Sequence, residues 1–231
     1  MIEAVHLQRL SFRPKRVNTV LLAESHVFTS SADLGLHVHG AEDPLGVFTR
    51  FVYCLGYGET HLLNRKPRRR NSGTTDYWKI FFSLTHKPDR DGAWDYSRIL
   101  KSNEDDGGRI AEKRRTLERL KKRRIWLLDA SPLAIASAGH TRTRPKAGSV
   151  QSALIIGYSG YTRWLIKKAK PKRILIIGTG VDGAIGRAVR QDFPKAIVKS
   201  VPQPNSLRGK SIQKKRLLRK IYRFVSQAQS P

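Results

Sequence analysis

Four short apolar runs, Val20–Ala23, Ile125–Leu128, Arg173–Ile177 and Ala196–Val201, set the limits on what this chain can fold into. Each is rich in Val, Ile or Leu, is too short for a helix and stops at a polar residue, a glycine or a proline. That is the pattern of a strand buried on both faces. Stretches of helical length separate them. Arg109–Arg124 is a charged helix with sparse apolar positions, and Val150–Lys168 carries Leu154, Ile155, Tyr158, Tyr161 and Leu165 before Pro171 stops it. Val181–Phe193 precedes the last run and the strongly basic Ser211–Gln227 follows it. Strands joined by crossovers of this length run parallel. The prediction is a single α/β domain over 1–231, a four-stranded parallel sheet flanked by helices, with a basic C-terminal helix at about 210–228. Two further elements are expected. Leu45–Tyr57 places Phe48, Phe51, Val52 and Leu55 at i, i+3, i+4 and i+7, a helical stripe, and Tyr77–Leu84 reads as a short aromatic helix or strand.

Charge narrows the partners. The 231 residues include 45 Lys and Arg against 18 Asp and Glu, a formal net charge of +27. The excess is uneven: after Asp129 the only acids are Asp182 and Asp192, against 21 Lys and Arg. Such asymmetry favours a polyanion, nucleic acid before an anionic membrane. The single cysteine, Cys54, rules out an intramolecular disulfide framework, a Cys-rich zinc site and a four-Cys iron–sulfur cluster. Met1–Arg16 has no apolar h-region and no run reaches the length of a membrane span, so a soluble cytoplasmic protein, associated with the nucleoid, is expected.

The strand ends carry the chemistry-bearing residues. In open parallel sheets, ligands bind in the crevice outside the carboxyl ends of the strands. The first run climbs to Glu24, Ser25 and His26, and the second ends at Asp129, in D-A-S-P. The last run leads into Val201–Lys210, V-P-Q-P-N-S-L-R-G-K. There two prolines stiffen a loop bearing Gln203, Asn205 and Ser206, with the cations Arg208 and Lys210 beside them. Plainer roles exist: Asp129 as the N-cap of a helix after Pro132, Asn205 or Ser206 as the N-cap of the last helix. The third run ends in I-I-G-T-G-V-D-G-A-I-G, which places Gly178, Gly180 and Gly183 in the spacing of a dinucleotide-binding turn. The following strand ends without the acid that would hold a ribose. His37 and His39 form an H-x-H pair with no evident third ligand, and His140 sits in a basic loop; no metal site is expected.

Taken together, strand–E-S-H, strand–D-A-S-P, strand–G-T-G and strand–P-Q-P-N resemble the uracil-DNA glycosylase superfamily, whose four-stranded parallel sheet carries one motif after its first strand and another after its last. Ile197–Arg208 is similar to the second motif, Leu21–His26 to the first in its Gly-Glu form, and Tyr77–Phe81 to a Phe-Trp-Lys helix of several members. Ala23 stands where a Gly is usual and Gln203 where a His is usual. The resemblance implies a DNA glycosylase that hydrolyses the N-glycosidic bond of a damaged or deaminated base, uracil or related, with no cofactor and no iron–sulfur cluster. It assigns Glu24 to the attacking water and the sugar cation, His26 to the departing base in place of the missing histidine at Gln203, and Ser25 and Asp129 to the base edge. Phe48, Phe51 or Tyr53 would stack on a base flipped from the strand. Asn205, Ser206, Arg208, Lys210 and Lys214 would hold the DNA backbone. The other readings are a nucleic-acid-binding protein of the same fold without catalysis, and a nucleotide-binding enzyme using the Gly178–Gly186 turn.

Overall fold

The computed structural model describes residues 2–26, 28–38, 41, 46–57, 75–100, 105–135, 147–207 and 209–227. Among these, helices α1 (Ile2–Ser11), α2 (Ser31–Leu34), α3 (Asp76–Thr85), α4 (Asp106–Lys122), α5 (Ala147–Gly157), α6 (Arg163–Ala169), α7 (Thr179–Asp192) and α8 (Ser211–Ser226) alternate with strands β1 (Thr19–Ala23), β2 (Ile125–Asp129), β3 (Arg173–Ile177) and β4 (Ile197–Val201). The chain is α/β, and its four strands form one parallel sheet in the order β2-β1-β3-β4. All four predicted strands are present. No helix among the described residues is long and apolar enough to cross a membrane.

Packing divides the chain into two compact units. One comprises Met1–Phe12 and Thr29–Leu120, the other Arg13–Phe28 and Lys121–Pro231. The first unit combines the segment before β1 with a long excursion between β1 and β2. Its core gathers Phe12, Phe51, Tyr53, Trp78 and Phe81, with the Tyr53 ring stacked on Phe12 and on Phe81 at centroid distances of 5.7 and 5.8 Å. The aromatic stretch at 77–84 is helical, within α3. The stripe expected over Leu45–Tyr57 is not a helix: its described part, 46–57, is a bridge at Val47 followed by turns. Cys54 N–H donates to the Phe51 carbonyl and Tyr57 N–H to that of Cys54. Turns repeating every three residues bury the same set of side chains that a 3.6-residue period would, so the spacing misleads. Gln8 satisfies the loop, its Nε2 donating to the Val47 carbonyl at 2.7 Å while its Oε1 accepts from Thr49 Oγ1 at 2.6 Å.

The second unit holds the sheet. All five positions of β1 and of β2 are buried, whereas β4, at the edge, alternates between exposed and half-buried until Val201. Helix α7 buries Val181, Ile185 and Val189, and α8 buries Leu217, Ile221, Phe224 and Val225. The apolar spacing along each helix matches its buried side, which is why both were legible.

Between α5 and α6 the helix carries a π-helical segment, Tyr158–Thr162. Gly157, just before it, lies against the turn that follows β2: a Cβ there would stand 2.7 Å from Ser131 Cα and 2.9 Å from Pro132 Cδ. Thr162 Oγ1 then donates to the Asp129 carbonyl at 2.8 Å. Tyr158 OH donates to Asp192 at 2.9 Å, and Arg163 pairs with the same carboxylate. Burial first, then the Asp192 charge, holds the phenol protonated well above its ordinary range. Gly157→Ala is therefore expected to destabilise by about 1–3 kcal/mol, the usual cost of overpacking against backbone that cannot yield. A lowered urea midpoint at unchanged m-value would register it.

Candidate functional site at the carboxyl edge of the sheet

The strand order places a topological switch point. The chain leaves β1 for β2 on one side and leaves β3 for β4 on the other, so the crevice opens outside the carboxyl ends of β1 and β3. The residues just past β1 are Glu24, Ser25 and His26. Parallel pairing continues past the strands themselves: Ala130 N–H donates to the Ala23 carbonyl at 2.7 Å and Ser131 N–H to that of Glu24 at 3.1 Å. Glu24 is thus fixed in register with the end of β2.

Two side-chain pairs follow from this placement. Gln203 Nε2 donates to Glu24 Oε2 at 3.0 Å, joining the loop after β4 to the end of β1. Both side chains are half-buried. Beside them His26 Nδ1 lies 3.1 Å from Asp129 Oδ2, with side-chain exposures of 0% and 3%. An imidazole hydrogen-bonded to a carboxylate has its ring orientation and tautomer fixed. Ser25 Oγ accepts from the Ile135 N–H at 3.3 Å and so pins the chain beyond Pro132.

Gly178 makes room for the first pair. It is the N-cap of α7 with φ of 125°, a conformation that disfavours any side chain. An added Cβ would lie 3.1 Å from Gln203 Cγ and 3.4 Å from its Nε2. Gln203 therefore closes over the first glycine of the turn, whereas a Cβ on Gly180, the glycine whose bareness lets a pyrophosphate approach, would meet nothing within 4 Å. The positive end of the α7 dipole lies close to the Glu24 carboxylate as a result.

The remaining sequence candidates fall elsewhere. Ser206 donates to the Gln203 carbonyl at 2.6 Å and closes the 3-10 turn Pro204–Leu207, on which Asn205 also lies. Neither is the N-cap of α8; that position is Lys210, whose side chain makes no capping bond, and Lys214 follows one turn later. Nor does Asp129 cap a helix, since residues 131–135 are irregular and its carboxylate is turned to His26. Phe48 and Tyr53, like Phe51, are core residues of the first unit, each 1% exposed. The Tyr53 ring faces are already taken by Phe12 and Phe81, so these aromatics hold that core together. Arg208, His39 and His140 lie outside the described residues; His37 is exposed and bridges Val47. No group of three His, Cys, Asp or Glu able to hold a metal occurs among the described residues.

The sequence did not disclose the His26–Asp129 pair, nor Thr162 and Gly157 as supports of the β2 end. Thr162 is 33 positions from the carbonyl it holds. The one local signal was a glycine inside an otherwise apolar helix, which marks a close backbone approach.

Gln203→Ala removes the donor that orients the Glu24 carboxylate. A hydrogen bond to a charged group contributes about 1.5–3 kcal/mol. Any reaction dependent on that carboxylate is expected to slow by about tenfold or more, with little change in KM, as steady-state kinetics would show.

Comparison of the chain with family models, with curated proteins and with solved structures gave no match.

Proposed function

We propose that this protein is a DNA N-glycosylase that hydrolyses the bond between deoxyribose and a damaged or deaminated base, as a divergent relative of the uracil-DNA glycosylases. One observation carries the reading: a carboxylate, Glu24, stands half-buried at the switch point of a parallel sheet and is oriented by Gln203 from the loop after the last strand. These are the two places where the resemblance puts its motifs.

N-glycosidic cleavage passes through a sugar with oxocarbenium character and a base that leaves with the bonding electron pair. Glu24 accepts a proton from the attacking water, whose oxygen bonds to C1′, and its charge offsets the positive sugar. The C1′–N bond breaks with its electron pair leaving on the base, which takes a proton from solvent, while Glu24 gives its own proton back to solvent. His26, its ring wholly buried against Asp129, positions this edge instead of touching the base, and Asp129 acts through it instead of reading the base edge. The basic character of the chain supplies attraction to the DNA backbone, with Lys210 and Lys214 near the site loop. The place of action would be the nucleoid in the cytoplasm. The dinucleotide reading of the Gly178 turn is disfavoured by β4, which ends at Val201 without the acid that would hold a ribose.

The test is a panel of end-labelled DNAs, single-stranded and duplex, each holding one uracil, hypoxanthine, xanthine or mismatched base. After incubation and alkali, breaks at the odd base support the proposal. Absence of abasic sites on every substrate, with salt-sensitive DNA binding retained, identifies a nucleic-acid-binding protein without catalysis.

A further inference from the structure

A second candidate site lies along α8 and the edge strand β4. Between the outer side of α8 and strand β4 runs a groove of about 350 Å³. Its walls carry Arg216, Arg219, Lys220 and Arg223 from the helix and Lys199 from the strand, over a floor that includes Phe224. The four helical cations fall on three successive turns, with Arg219 and Lys220 on the middle one, strung along about 10 Å of helix axis. Lys199 faces them, with its Nζ 5.8 Å from the centroid of the Phe224 ring. No carboxylate lines the groove among the described residues, and the sequence contains no Asp or Glu after Asp192.

A helix built this way opposes itself. Arg216–Lys220 and Arg219–Arg223 are like-charge pairs at i, i+4, which destabilise a helix. Lys214, Lys215 and Arg216 stand in its first two turns, against the positive end of its dipole. An anion in the groove relieves the like-charge pairs and, at Arg216, part of the clash with the dipole. The lining also says which kind of anion. Phe224 is only 4% exposed and offers no face for a base to stack on. Beyond the Gln227 amide the polar lining is all Lys and Arg, the side chains that pair with phosphate oxygens. Cations repeated along a line match phosphates repeated along a line, and a single phosphate would engage only part of the row.

We infer that this groove is a second nucleic-acid contact, which holds a sugar–phosphate backbone through its phosphate oxygens. The inference shares the DNA ligand with the proposed function but does not depend on the chemistry at Glu24.

The test uses the full-length protein and an undamaged, fluorescein-labelled single-stranded oligonucleotide, read by fluorescence anisotropy over a range of salt. Two fourfold variants are compared. The groove variant carries Lys199→Gln, Arg216→Gln, Lys220→Gln and Arg223→Gln. The control carries Lys167→Gln, Lys172→Gln, Arg187→Gln and Lys195→Gln, four exposed cations of the same unit. The groove variant is expected to weaken binding by about 30-fold at moderate salt and to lower the salt slope by about 2–3, with about 0.7 expected for each phosphate no longer neutralised. The control should change affinity by less than about threefold. Equal weakening in both, or unchanged binding in the groove variant, overturns the inference.

A measurement on the unaltered protein stands beside this in case the groove variant folds poorly. Oligonucleotide should protect Lys199 and Lys220 from acetylation, read by mass spectrometry, while inorganic phosphate at the same phosphate concentration should not. Equal protection by both marks a site for small anions only and overturns the inference, as does no protection. The Glu24→Gln protein should bind the oligonucleotide as the wild type does. Retained groove binding without base release on any substrate would sink the glycosylase reading alone. Base release with no groove effect would sink this inference alone.

Discussion

Glu24→Gln is expected to lower base release by about 10³-fold while DNA affinity changes little. The substitution keeps the shape of the side chain, and the amide oxygen can still accept from Gln203 Nε2, so the loop after β4 stays in place. What disappears is the negative charge and the capacity to take a proton from water. Positioned general bases contribute about 10²–10⁴-fold, and the loss corresponds to about 4 kcal/mol of transition-state stabilisation. Single-turnover assays on the best substrate of the panel, with anisotropy for binding, separate the two effects. Wild-type turnover in the Glu24→Gln protein would remove Glu24 from the mechanism.

Asp129→Ala is expected to have the largest effect on stability, about 3 kcal/mol. The Asp129 carboxylate and the His26 ring are both almost wholly buried, and removing one member of such a pair strands the other in a medium of low polarity. For a chain of this size that corresponds to a fall in Tm of roughly 6–12 °C. Asp129→Asn preserves volume and one acceptor oxygen and should cost distinctly less. The comparison by thermal and urea unfolding separates the pair from mere packing, because alanine and asparagine would differ little if only filled space mattered. Activity should fall in both variants, since the imidazole loses the carboxylate that fixes its orientation.

These two residues also show what the sequence discloses and what it hides. The strands were legible because buried parallel strands are continuous apolar runs: the expected Ile125–Leu128 lies within β2, which runs one residue further to Asp129, and Arg173–Ile177 is β3. Glu24 was legible because it ends such a run, and Gln203 because two prolines frame it. Their contact was not, since it spans 179 positions and depends on strand order. Asp129 was legible as an acid at a strand end, but its partnership with His26 arises only once β1 and β2 lie side by side. The stripe at 45–57 failed for the opposite reason. Successive turns bury residues with nearly the period of a helix, and nothing local distinguishes the two.

The most direct test of the central claim is a mass balance on the reaction. Uracil-, hypoxanthine- and xanthine-containing oligonucleotides are incubated with the wild-type protein, and both the released small molecule and the remaining strand are identified by mass spectrometry. The account predicts a free base in amounts equal to the abasic strand, an intact phosphodiester backbone before alkali, and neither product with Glu24→Gln. Cleaved backbone with the base still attached, or an unchanged strand from every substrate, would contradict it.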